Sequence, residues 1–67
     1  MNEQDVYSQL IQDIKTTKNR EMSYRNLAVN IPALGEFLEP VIENFMRDVI
    51  AMQDAAAAIK RAFPKVK

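Results

Sequence analysis

Residues 38–63 read LEPVIENFMRDVIAMQDAAAAIKRAF. Steps of four and three from Leu38 land on Ile42, Phe45, Val49, Met52, Ala56, Ile59 and Phe63. That alternation is the period at which helices pack side by side. Nothing from Val41 to Ala62 breaks a helix, and residues 51–62 hold six alanines, the best helix former. Glu43 and Arg47 make a favourably oriented i, i+4 pair. Lys60 and Arg61 stand where the helix dipole favours positive charge, and Pro64 closes the segment. The stretch predicts an all-α protein dominated by a long C-terminal helix.

Upstream, Val6, Tyr7, Leu10, Ile11 and Ile14 share one helical face. Asn2 is placed to cap that helix, with Glu3 and Asp5 in its first turn. Two threonines followed by Lys-Asn-Arg let it fade, so a first helix is expected over about residues 3–16. Ser23 then reads as a new N-cap, with Met22 and Leu27 as a hydrophobic staple, giving a second helix over about residues 23–30. Pro32 interrupts. A third helix follows over about residues 33–63, with a kink or a break at Pro40, since an interior proline costs about 3 kcal/mol. The expected architecture is a small bundle of three to four helices in a single domain spanning residues 1–67. The closing PKVK is read as a short basic tail that frays.

Size and composition narrow the function classes. A 67-residue chain buries only about 60% of its unfolded surface, so a second copy or very regular packing has to supplement its core. There is no Cys for a disulfide and no His to complete a zinc site. Nine basic and nine acidic residues cancel, which weakens a nucleic-acid reading and lowers self-repulsion between copies. The polar, acidic start MNEQDVYSQ is no secretory signal, and no apolar run approaches the roughly 20 residues of a membrane span. A cytoplasmic protein is expected.

Candidate chemistry is sparse. Glu36, Glu39 and Glu43 fall three and four apart, a spacing that can serve acid/base work or a divalent cation, but a solvated acidic face explains it more simply. Ser8 and Ser23 have no His to activate them. No catalytic, cofactor-binding or metal-binding residue is assigned, and an enzyme is not expected. SYRNLAVNIPALGEFL has the order of a helix-turn-helix. Its second element nevertheless lacks Arg, Lys, Asn and Gln in the first two turns, and its glutamates would repel phosphate. Lys15, Lys18, Arg20 and Arg25 surround the expected first loop and could meet an acidic partner. Tyr7, Tyr24, Met22, Met46 and Met52 suit interface edges and core gaps equally.

The long helix carries the functional expectation. At roughly 33 Å for 22 residues it outruns a first helix of roughly 21 Å, and Val41, Met46 and Ile50 widen its apolar face. Part of that face needs another molecule to cover it. Phe45, Val49, Met52, Ala56, Ile59 and Phe63 are the candidate interface, with Ala56 as a point of close helix approach. The expected function is a non-enzymatic protein-binding or regulatory, inhibitory accessory protein that self-associates, of a size that suits a bacterial, plasmid or phage factor. A small dimeric DNA-binding regulator and a structural assembly subunit are the alternatives.

Overall fold

Two helices of equal length, folded back on each other, make up almost the whole chain. The computed structural model describes residues 1–67 as α1, Glu3–Asn30, a single 3-10 turn at Pro32–Leu34, and α2, Gly35–Ala62. Each helix has 28 residues, and the hairpin measures 47 × 15 × 14 Å. The expected bundle of three to four helices is therefore corrected to a two-helix hairpin.

The expected loop between a helix at 3–16 and another at 23–30 does not exist. Residues 2–31 contain no Gly or Pro, and Thr16-Thr17 lowers helix propensity by only a few tenths of a kcal/mol per residue. Ser23 caps nothing. Its hydroxyl donates to the Asn19 carbonyl one turn back, at 3.1 Å, a bond that a serine makes inside a continuous helix. The i, i+4 pairs Gln4–Ser8, Gln9–Asp13 and Glu21–Arg25 run along the exposed side. At the start of α1, Asn2 and Asp5 form a reciprocal capping box: the Asp5 N–H donates to Asn2 Oδ1 at 3.0 Å, and the Asn2 N–H donates to Asp5 Oδ2 at 3.2 Å.

The turn is short because two prolines divide its work. Ile31 leaves helical geometry, as the residue before a proline does, while its N–H still donates to the Leu27 carbonyl at 2.9 Å. Pro32 opens the 3-10 turn, where a fixed φ suits the first position. Gly35 has ordinary right-handed helical angles, so no special backbone conformation turns the chain. Pro40 lies inside α2, which continues through it unbroken. It can do so because Pro40 stands in the second turn, where only the Glu36 carbonyl loses its donor, and Glu36 is exposed to water.

The seam of α2 packs against a matching seam of α1. Tyr7, Leu10, Ile14, Thr17, Glu21, Tyr24 and Ala28 recur at steps of three and four, and all are buried or half-buried. Ile14, Val49 and Ala56 form the buried centre, with Tyr7, Leu10 and Met52 packed on it. Nearer the turn, the Tyr24 and Phe45 rings lie 5.7 Å apart at 33°. The C-terminal PKVK does not fray. Val66 is buried, its N–H donates to the Phe63 carbonyl, and its own carbonyl accepts from Lys60 Nζ at 2.9 Å. The Lys67 N–H reaches Gln4 Oε1 at 2.9 Å, which ties the two chain ends together.

Candidate interaction surface

The apolar surface that remains uncovered runs along the sides of the hairpin. α1 matches α2 in length, so the expectation that α2 would outrun its neighbour fails, and coverage along the axis is complete. Coverage across the width is not. Only Ile14, Val49, Ala56 and Val66 are buried in the whole chain. A pair of helices shields one stripe on each and leaves both shoulders in water.

The residues one position beyond the seam emerge on one flank. There Met22 and Lys18 of α1 border the same furrow as Met46 and Ile50 of α2, with Val49 at its floor. The furrow continues toward the chain ends past Ile11 and Ala57, and toward the turn past Arg25, Glu39 and Glu43. Ile11, Met22, Met46 and Ile50 are 45%, 59%, 41% and 55% exposed. Arg25 spans the two helices: its Nε donates to Glu21 Oε2 at 3.3 Å, and its Nη2 donates to Met46 Sδ at 3.0 Å. The opposite flank is less continuous. Val6 and Phe63 share a hollow near the chain ends. Leu27 and Phe37 are exposed toward the turn, and the polar Asp13, Arg20, Asn44 and Asp48 lie between.

Of the six candidate interface residues, Val49 and Ala56 are buried between the helices, and Phe45, Met52 and Ile59 are half-buried there. Phe63 lies at the end of α2 and is about half exposed. Within the run Ala55–Ala58 only Ala56 is buried; the other three face water. The basic residues sit on a continuous helix. Lys15, Lys18 and Arg25 follow the spacing of the Met22 flank, whereas Arg20 stands on the other side. Lys60, near the end of α2, lies 5.6 Å from the Tyr7 ring centre, in cation–π range.

Ile11 and Met22 are the flank residues that the sequence reading assigned elsewhere, to a helix face and to a staple. Treating residues 3–30 as one helix would have found them, because Ile11, Lys15, Lys18, Met22, Arg25 and Val29 then step by four and three. No three acidic residues gather into a group that could hold a metal ion, Glu36, Glu39 and Glu43 included. No buried side-chain polar atom lacks a partner. No helix is long and apolar enough to cross a membrane. Comparison of the chain with protein-family models, curated proteins and solved structures finds no match.

Proposed function

We propose that this chain is a non-enzymatic, contact-making protein that acts through the side of a helical hairpin and self-associates to do so. One observation carries the reading: four residues of 67 are buried, while twelve large apolar side chains stand more than a third exposed. Burial of a Leu-sized side chain contributes about 1.5–3 kcal/mol, so so few such groups cannot offset the conformational entropy of ordering two long helices. Covering a flank supplies what the single hairpin lacks, as in helical bundles built from hairpin pairs. The near-absence of net charge favours such approach between like chains.

A regulatory or inhibitory role follows the same physics, since a hairpin that needs apolar cover can obtain it from a larger partner's helices as well. Sedimentation equilibrium of the full chain tests the reading. A mass of two or more copies at micromolar concentration is expected. A folded species that stays monomeric toward millimolar concentration would overturn self-association, and growth without limit would point to an assembly subunit instead.

A further inference from the structure

The Met22–Met46 flank has the size and the charge pattern of a surface that meets its own copy. Compact monomers of 7.7 kDa expose about 4,300 Å². The hairpin exposes 5183 Å², an excess of about 850 Å². A stable interface removes about 800 Å² from each partner. The excess is thus one partner's share of one interface.

The arrangement of charges limits how two copies can meet there. Toward the turn, Arg25 on α1 lies level with Glu43 and Glu39 on α2; in the middle, Met22 lies level with Met46; toward the chain ends, Ile11 lies level with Ala57. A twofold axis along the hairpin keeps both turns at the same end and lays α1 of one copy over α2 of the other. Arg25 then faces the acidic pair of the second copy, Met22 faces Met46, and Ile11 meets the small Ala57. The alternative axis, across the hairpin, lays α1 on α1 in opposite directions. It brings Lys15 and Lys18 near the middle of α1 against the same lysines of the other copy, and like charges across an interface cost several kcal/mol.

We propose that a second copy of this chain covers the Ile11–Met22–Met46–Ile50 flank, turn beside turn, to close a four-helix bundle with Arg25 paired to Glu43 across the interface. This rests on the self-association reading above and adds its surface and orientation. A mixing experiment tests it. Arg25→Glu alone sets glutamate against Glu43 at both ends of the twofold, and Glu43→Arg alone sets two arginines together. Each variant is expected to dimerise about tenfold or more weakly than the wild type. An equimolar mixture pairs an acidic copy with a basic one and is expected to regain the dimer mass in sedimentation; helicity lost by either variant alone and regained on mixing counts the same way. Contacts inside one copy cannot produce that recovery.

Two variants that dimerise like the wild type, or a mixture that regains nothing, would overturn this interface and leave self-association standing. A monomeric wild type would remove both. The chain has no cysteine, so Met22→Cys mixed with Met46→Cys gives an independent readout. A mixed disulfide is expected, whereas Lys15→Cys joining Lys18→Cys would establish the crossed orientation instead.

Discussion

Ala56 is the point where the two helices come closest to excluding larger atoms. It is 5% exposed and shares the core with Ile14 and Val49, under Tyr7 and Met52. Small side chains at such a crossing let the facing residues fill the space, and added methylenes force rotamers and backbone apart at a cost of about 1–3 kcal/mol. Ala56→Leu is therefore expected to lower the melting temperature by about 4–20 °C, at about 4–8 °C per kcal/mol for a domain of this size. Circular dichroism melts compare it with Ala57→Leu, whose parent side chain faces water; equal behaviour of the two would show that Ala56 is not tightly packed. The sequence identified Ala56 from its place on the seam, but the neighbouring alanines carry the same side chain. Their exposure depends only on which way the helix is turned.

Among the elements, α2 carries a local conflict that its packing overrides. Pro40 withholds an N–H from the Glu36 carbonyl and crowds it, yet the helix runs through. The turn before it holds Leu38 in the seam and the turn after it holds Ile42 and Phe45, so contacts on both sides hold the segment helical. Pro40→Ala restores the bond but frees the unfolded chain, which offsets about 1 kcal/mol. A net stabilisation of about 1–2 kcal/mol is expected, read as a higher urea midpoint with an unchanged slope. A lower midpoint would mean that the proline shapes α2 in a way its neighbours depend on. α1 presents the opposite case. Its seam is interrupted by Thr17 and Glu21, the latter side chain only 20% exposed beside Arg25. Those two polar residues made one helix look like two, because hydrophobic periodicity is silent where a seam position is polar.

For the whole molecule, stability and association are coupled. If the flank is covered only in the assembly, the melting temperature has to rise with concentration, since mass action favours the associated folded form. A hundredfold increase in chain concentration is expected to stabilise a dimer by about 2.7 kcal/mol relative to the unfolded chains. Melts at two such concentrations check this, and superimposable curves would show that the hairpin stands alone. The sequence by itself determined that the chain is helical, that it has a three-four seam from Leu38 to Ile59, and that Asn2 caps its start. These follow from nearest-neighbour geometry within one helix, where spacing and capping chemistry suffice. Only the tertiary structure decided that residues 3–30 form one helix, that α1 covers the seam along its full length, and that Val66 folds back into the core. Each depends on contacts between residues far apart in the chain, and no local propensity distinguishes a side chain that meets its own second helix from one left in water.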